Sequence, residues 1–292
     1  MKIRPLYLLL IFLLGLIAFE YTYTNLIFSA ERKAYLMGTP VRVRVNGPNS
    51  PHLARRALWE IRKIDKTFSR FNPKSEISTI NKLAGLAPLQ ASKDTFECIQ
   101  LAARISKLSQ GAFDITLGHP KELIINSNSR KIYLRKKGIE IDLGGIGKGY
   151  AAEAARKLLL KKGAKSGMID LRSSIAVFGS KTWKVGIQHS RDKDKLIGIV
   201  ELGNGQSLAT SGDYERGKHI IDPRTGKPAQ GCQGVTVIGK NAAETDALST
   251  AVFVLGPRQG MKLIESLPGM EALVIDRNGK TIKSSGLALA RP

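Results

Sequence analysis

The stretch Asp142–Tyr150, DLGGIGKGY, joins a predicted strand at residues 139–143 to a predicted helix at residues 151–162. Glycines make a tight turn, and the start of a helix behind such a turn can hold phosphate with its exposed backbone N–H groups. The turn is not a Walker A loop, because Asp142 and Gly149 occupy two of that motif's fixed positions. Nor is it a dinucleotide fingerprint, since Tyr150 replaces the third glycine. A phosphate site and a purely structural turn both remain open.

Outward from this turn, hydrophobic periodicity predicts an order of strands and helices typical of a mixed α+β fold. The predicted strands are residues 35–45, 131–135, 139–143, 168–178, 183–188, 196–202 and 234–238, with a terminal hairpin at 273–276 and 281–284. The predicted helices are residues 53–68, a short one from 75 to about 83, 95–108, 151–162, 246–254 and 260–265.

The composition is globular but strongly basic. The chain has 292 residues, and 46 Lys and Arg against 24 Asp and Glu give a net charge of +22, which attracts anions. The basic groups are scattered and few aromatics lie between them, which argues against a nucleic-acid platform. A membrane surface, an acidic partner, a phosphorylated ligand and a solvated basic face remain open. Cys98 and Cys232 lack a zinc pattern and are expected to be buried thiols.

The N-terminal residues 1–30 are predicted to be a signal peptide or a membrane anchor. Lys2 and Arg4 precede an apolar run at residues 6–19, which is the pattern of an export segment. Phe28 stands where a small residue is preferred before cleavage, which favours an uncleaved anchor. We therefore expect the protein on the periplasmic side of the inner membrane, anchored or soluble.

Two polar clusters follow in the second half of the chain. Residues 209–216 and 219–226 are rich in hydroxyls and carboxylates and contain His219, which suits a site on loops, although the Asp-Pro-x-Thr-Gly sequence is also an ordinary β-turn. Asp246 and Thr250 are four residues apart in a predicted helix and point the same way. A carboxylate and a hydroxyl suit magnesium, but a helix N-cap and a surface threonine would give the same pair.

Seven motifs in this order resemble the ApbE family of FAD:protein FMN transferases. They are Met37–Thr39, Ser69–Phe71 with Ser75–Ile77 and Asn81, Gly111–Asp114 with Thr116, Asp142–Tyr150, Thr210–Tyr214, His219–Gly226 and Asp246–Thr250. The resemblance implies one flavin transferase domain at residues 35–285, with a T-fold-like α+β architecture of two interlocked lobes. It also implies FAD as substrate, Mg²⁺ as cofactor and an acceptor flavoprotein subunit of the redox-complex type as partner.

The resemblance further assigns roles to individual residues. Magnesium would be held by Asp246, Thr250 and the carbonyl of Gly145. His219 and Asp213 would act near the pyrophosphate, and His219 would take or relay the proton of a Thr or Ser hydroxyl that attacks FAD and releases AMP. The residues expected to contact FAD are Met37, Phe71, Ala112, Phe113, Asp114, Asp142, Lys148 and Ile220.

Two stretches depart from the family pattern. Leu171–Ile175 reads LRSSI where many relatives carry Gly-Gly-Asp, and the segment 118–141 is short. Two alternative functions follow: an FAD pyrophosphatase that uses water as acceptor, and a non-catalytic or self-flavinylated FAD-binding assembly protein. No nucleic acid is expected as a partner, because an exported protein does not readily meet one.

Overall fold

The computed structural model describes Tyr7 and residues 9–16, 29–192, 194–213 and 219–291. Most of the predicted export segment, and residues Tyr214 to Lys218 between the two polar clusters, which include the end of the first one, lie outside these residues. Residues 9–16 are helical and expose their apolar side chains. Among the described helices, none combines the length and hydrophobicity needed to cross a bilayer. The division into residues 1–30 and 35–285 stays a prediction.

The elements follow one another along the chain as a mixture of strands and helices, which confirms the α+β class. In order they are β1 (Ser29–Leu36), β2 (Thr39–Asn46), α1 (Ser50–Phe68), α2 (Glu76–Lys82), β3 (Leu89–Gln90), α3 (Lys93–Leu108), a 3₁₀ turn (Pro120–Glu122), β4 (Leu123–Asn126), β5 (Lys131–Leu134), α4 (Gly147–Lys161), β6 (Ser166–Asp170), β7 (Ser174–Gly179), β8 (Trp183–Gln188), β9 (Leu196–Leu202), β10 (Ser207–Gly212), β11 (Ile221–Asp222), β12 (Lys227–Pro228), β13 (Cys232–Gly239), α5 (Ala242–Glu265), β14 (Glu271–Asp276) and β15 (Thr281–Lys283).

An antiparallel sheet of eight strands lies at the centre, in the order β1-β2-β6-β7-β10-β13-β14-β15. Alternate residues of a strand point to opposite faces. Ala176 and Phe178 of β7 therefore enter the larger core with α1, α4 and α5, while Ile175 and Val177 enter a second core with Trp183 of β8. The sheet is thus sandwiched between a layer of helices and the two-stranded ribbon β8–β9.

Small polar residues set the starts of three helices. Ser75 Oγ accepts the backbone N–H of Ser78 at 2.9 Å and begins α2, and Ser92 plays the same part for α3 through the N–H of Thr95. The side chain of Asn241 accepts two N–H groups and begins α5, four residues before the predicted start. Asp246 is therefore inside the helix, and the N-cap alternative for it is wrong.

Two predicted strands are each two strands joined by a turn. The predicted strand 35–45 breaks at Met37 and Gly38, which have φ values of 52° and 69° and close the hairpin β1–β2. The predicted strand 168–178 breaks at Arg172, which has a φ of 65°, and gives β6 and β7. Apolar residues lie close to both sides of each turn, so hydrophobic periodicity alone did not separate the strands.

Two further expectations are corrected by hydrogen bonding. Residues 139–143 do not pair with another strand. Instead, the Ile141 backbone N–H donates to Asn81 Oδ1 at 2.8 Å, and its carbonyl accepts from Asn81 Nδ2 at 3.1 Å. The two predicted helices at 246–254 and 260–265 are parts of α5, which bends at Gly256 just before Pro257. The other predicted strands and helices are confirmed, with ends shifted by a few residues.

Candidate functional site

A cavity of about 500 Å³ collects most of the predicted site residues. Its walls come from the glycine turn, the loop after α3, the turn between β6 and β7, strands β8 and β10, and helix α5. The residues on its lining that the sequence predicted are Phe71, Ala112, Phe113, Asp114, Asp142, Gly145, Lys148, His219, Ile220, Asp246 and Thr250. This volume is within the range of ligand pockets.

Asp246, Thr250 and Gly145 meet in one corner of this cavity. The Asp246 side chain is 4% exposed, and its Oδ2 accepts the N–H of Gly149 at 2.8 Å. Burial raises the pKa of Asp246, whereas the charge of Lys148 and the Gly149 N–H act in the opposite direction. A Cβ added to Gly145 would lie 3.3 Å from Thr250 Oγ1, so the Gly145 backbone and the Thr250 hydroxyl are close neighbours.

The donor set in this corner fits a magnesium ion. It offers a carboxylate, a hydroxyl and a backbone carbonyl, all hard oxygen ligands, and magnesium commonly takes its remaining ligands from water and substrate phosphates. Within the described ranges no group of three or more His, Cys, Asp or Glu side chains could hold a metal.

Ser211 on β10 extends this corner and was not among the predicted site residues. Its Oγ lies 3.1 Å from Thr250 Oγ1 and 2.8 Å from Ser249 Oγ. This pairing fixes the orientation of the Thr250 hydroxyl. The signal was present in the Thr210–Tyr214 motif, but the strand β10 was interpreted as part of a polar loop.

The glycine turn has a structural role and also lines the cavity. A Cβ on Gly149 would lie 2.1 Å from the carbonyl oxygen of Ala242 and 2.5 Å from Asp246 Cβ. Only glycine lets α4 approach the start of α5 this closely. The structural alternative is therefore supported, because Gly149 allows the packing of two helices, and that packing brings Asp246 to the cavity beside Lys148. The phosphate site at this turn stays a prediction.

Arg70 organises the rim of the cavity. Its Nε lies 3.3 Å from Asp142 Oδ2, its Nη1 lies 3.5 Å from Glu140, and its guanidinium lies 4.8 Å from the centre of the Phe71 ring. Phe71 is 83% exposed, so an aromatic face is free for stacking. The sequence analysis missed Arg70, although it stands inside the Ser69–Phe71 motif.

Asp114 shapes the loop that follows α3. One carboxylate oxygen accepts the N–H of Thr116 at 2.9 Å, and the other accepts the N–H of Gly118 at 2.9 Å. These bonds hold residues 114–118 in a compact turn at the cavity wall. Asp114 thus has a structural task in addition to its position on the lining.

The His219–Gly226 segment forms a small hairpin at the cavity mouth. Strands β11 and β12 pair across a turn in which Gly226, with a φ of 68°, donates to the Asp222 carbonyl, which confirms the β-turn expectation. Hydrogen bonds from Arg224 hold the pKa of Asp222 below its ordinary value. His219 and Ile220 precede the hairpin and reach the cavity lining.

Two predicted site residues lie off the lining. Asp213 forms a two-point ion pair with Arg191, with distances of 2.8 and 3.0 Å. The Met37 backbone N–H donates to Asp65 at 3.0 Å, and its Cε lies beneath the glycine turn, 3.4 Å from where a Cβ on Gly147 would be. Their roles in catalysis and in FAD binding stay predictions.

The turn between β6 and β7 supplies a part of the wall that the sequence did not assign. Arg172 and Ser173 line the cavity, and Ser173 Oγ is buried without a hydrogen-bond partner in the described part of the chain. Val185, Gly186 and Gln188 of β8 add to this wall. Nothing in the local sequence of β8 signals such a position, since it depends on where the ribbon packs.

Comparison with known proteins gives consistent results. The model of the ApbE family matches residues 37–125 and 119–274. An FAD:protein FMN transferase from Klebsiella pneumoniae is 29% identical over 290 residues, covering 86% of this chain and 90% of the relative. Another from Treponema pallidum is 27% identical over 315 residues, covering 88% of this chain and 87% of the relative.

Solved structures agree with this assignment. The ApbE protein from Thermotoga maritima superposes with a TM-score of 0.80 at 28% identity, covering 88% of this chain and 97% of that one. The flavin transferase ApbE from Vibrio cholerae has the same TM-score of 0.80 and the same coverage at 23% identity, which supports the fold. The resemblance and the α+β fold are thereby confirmed, and the chain belongs to the ApbE family.

Proposed function

We propose that the chain is an FAD:protein FMN transferase that uses Mg²⁺ and attaches FMN to a Thr or Ser hydroxyl of an acceptor flavoprotein, with AMP as the second product. The names of its relatives support the transferase class. The observation that carries the proposal is the meeting of Asp246, Thr250, Gly145 and Lys148 in one cavity that has an exposed aromatic, Phe71, at its rim.

The positions of these side chains suggest how FAD would lie. Phe71 would stack on the flavin. Arg70, which is held by Asp142 and Glu140, would keep the Phe71 ring in place. Lys148, in the first turn of α4, would attract the pyrophosphate together with the positive end of the helix. A magnesium ion held by Asp246, Thr250 and the Gly145 carbonyl supplies further positive charge for a pyrophosphate.

The proposed reaction is one displacement at phosphorus. The acceptor hydroxyl oxygen forms a bond to the FMN phosphorus, the bond from this phosphorus to the bridging oxygen breaks, and AMP leaves with that oxygen. His219 would take or relay the hydroxyl proton. Lys148 would stabilise the charge that develops on the leaving phosphate, which is the main demand of such a transfer.

The test is incubation of the purified protein with FAD, Mg²⁺ and a candidate flavoprotein subunit. Covalent fluorescence on the acceptor in a denaturing gel, with an equal amount of AMP, is the expected result. The Asp246→Asn variant should lose both signals, while Glu201→Gln, on an exposed face of β9, should keep them. AMP without labelled protein would identify a pyrophosphatase, and one flavin per chain without turnover would identify an assembly protein.

We also propose that the protein acts on the periplasmic side of the inner membrane. The basic residues Lys2 and Arg4 and the apolar run at residues 6–19 support this location. In a Gram-negative host, protease added to spheroplasts should degrade the full chain, while a variant without residues 2–28 should be protected in the cytoplasm. Equal protection of both would contradict the proposal.

A further inference from the structure

The solvent-facing side of α1 is a continuous basic stripe that the flavin site does not use. The exposed residues of this helix are His52, Arg55, Arg56, Trp59, Arg62, Lys63 and Lys66. They recur at intervals of three or four residues, so they lie on one face. The opposite face, with Leu53, Ile61 and Ile64, is buried in the main core. We call the exposed set the basic stripe.

Acidic groups do not neutralise the middle of this stripe. Of the two acidic residues of α1, Glu60 is half-buried and binds Lys63, and Asp65 is half-buried and accepts the Met37 N–H. In the described part of the chain, Arg55, Arg56 and Arg62 form no ion pair. Their three charges therefore face solvent together.

Trp59 stands at the centre of the stripe and is 67% exposed, whereas Trp183, the other tryptophan, is 6% exposed. An exposed tryptophan ring does not gain the free energy that burial of its apolar surface would give. Tryptophan flanked by basic side chains is typical of surfaces that lie in the headgroup layer of a membrane. The stripe thus combines positive charge for anionic headgroups with an aromatic ring for the interfacial layer.

The stripe begins where the N-terminal segment joins the folded part. Ser29, the first residue of β1, pairs with Asn46, the last residue of β2, and α1 starts four residues later at Ser50. The helical residues 9–16 expose leucine, isoleucine and phenylalanine side chains. The chain between residue 16 and residue 29 spans at most about 45 Å, so the stripe stays near whatever holds that apolar segment.

We propose that the basic stripe of α1 is a docking surface for an anionic lipid membrane. Arg55, Arg56 and Arg62 contact the lipid headgroups, and Trp59 enters the interfacial layer. Each basic residue at such a surface strengthens binding about fivefold, so three arginines together contribute about a hundredfold. The α1 helix ends at Phe68, two residues before the rim residue Arg70, so docking fixes the orientation of the cavity mouth relative to the membrane.

The experiment uses the full chain with a Trp183→Phe replacement, so that only Trp59 fluoresces. Trp183 Nε1 is buried without a hydrogen-bond partner among the described residues, so phenylalanine breaks no bond to Nε1 and keeps an aromatic ring in the second core. The protein is reconstituted into vesicles of phosphatidylcholine alone or with one third phosphatidylglycerol, each with brominated lipid. We expect quenching and a blue shift of Trp59 in the anionic vesicles only, reversed by high salt.

Two triple variants with equal charge loss provide the comparison. The test variant combines Arg55→Gln, Arg56→Gln and Arg62→Gln. It should lower the docking constant about a hundredfold and abolish the quenching of Trp59. The control variant combines Lys262→Gln, Arg277→Gln and Lys280→Gln. It removes three charges from α5 and from the loop after β14, near the opposite end of the sheet order from α1, and it should leave the docking constant unchanged. If both variants bind the anionic vesicles equally weakly, binding depends only on the net charge of the protein, and the proposal is overturned.

Other outcomes also overturn it. Quenching of the same size in neutral vesicles would show that the headgroup charge is irrelevant. If Trp59 stays unquenched while the arginine variant transfers flavin poorly to an acceptor without vesicles, the stripe binds a protein instead. Because quenching does not depend on catalysis, a failed transferase assay leaves this test intact.

Discussion

Among the glycines of the glycine turn, Gly149 leaves the least room for an added Cβ. A methyl group there would meet the Ala242 carbonyl oxygen at 2.1 Å, and the two helices that meet at this point both bury many of their residues. We expect Gly149→Ala to lower the free energy of unfolding by about 3 kcal/mol or more, since the helices must separate. Urea unfolding measures this loss.

Gly203→Ala is a suitable control for that measurement. The added methyl group would have its nearest neighbour at 3.6 Å, which is ordinary contact. The change should alter the free energy of unfolding by less than about 1 kcal/mol. Similar losses in both variants would contradict the steric explanation for Gly149.

The Asp246 carboxylate illustrates a conflict between stability and function. It is 4% exposed, and burial raises its pKa, so the buried charge costs the folded protein stability when no metal is bound. Asp246→Asn removes the buried charge and keeps an oxygen for the Gly149 N–H. We expect the melting temperature in EDTA to rise by about 2–4 °C, while transfer activity falls by about a hundredfold. A lower melting temperature would contradict this account.

At the scale of elements, the hairpin β11–β12 depends on one ion pair. Arg224 hydrogen bonds lower the pKa of Asp222, so this contact stabilises the fold above the ordinary aspartate range and the stabilisation is lost as the pH falls through the lower folded value. Arg224 is partly exposed, which reduces its effect through solvent screening. Asp222→Asn should cost about 0.5–1 kcal/mol at pH 7.

The pH series provides the check on this prediction. Thermal melts of the wild type and of Asp222→Asn should differ at pH 7 and converge as the pH falls below the ordinary aspartate pKa and through the lower folded pKa of Asp222, because protonation removes the contact from the wild type. A difference that persists at low pH would show that the asparagine changes the turn itself rather than the charge pair.

At the scale of the molecule, one buried pair ties the helical layer to the sheet. Arg156 and Glu153 of α4 are 7% and 9% exposed, Arg156 Nη1 donates to the Gly205 carbonyl at 2.7 Å, and Glu153 accepts the Ala242 N–H at 3.1 Å. This network joins α4, the start of α5 and the loop before β10. These are the elements that bring Lys148, Asp246 and Ser211 to one cavity.

Removing one member of this network should be costly. We expect Arg156→Met to lower the free energy of unfolding by about 3–5 kcal/mol, because the buried Glu153 carboxylate then keeps, of its two ion pairs, only the longer one to Lys157 Nζ, at 4.0 Å. Lys161→Met, at an exposed position of the same helix, should change the free energy of unfolding by less than about 0.5 kcal/mol. Recovery of most of the loss in the double variant Glu153→Gln with Arg156→Met would assign the cost to the isolated charge.

Much of the secondary structure and a part of the site followed from the sequence alone. Periodicity predicted α1, α3, α4 and the ribbon β8–β9, because burial of one face leaves a local pattern. The shared direction of Asp246 and Thr250 was predictable for the same reason: helix geometry fixes neighbours four residues apart. The ordered motifs gave the family, and with it most of the residues that line the cavity.

The tertiary structure alone decided which distant residues meet. No local pattern shows that Asn81 replaces a strand partner for Ile141, or that Gly149 admits the start of α5, since these contacts join residues about 60 and about 100 positions apart. The sequence did not predict Arg70, Ser211 or the wall formed by β8, because their positions at the cavity depend on how the layers pack. A sequence records the burial of each element, but the geometry of a site between elements exists only when the layers have assembled.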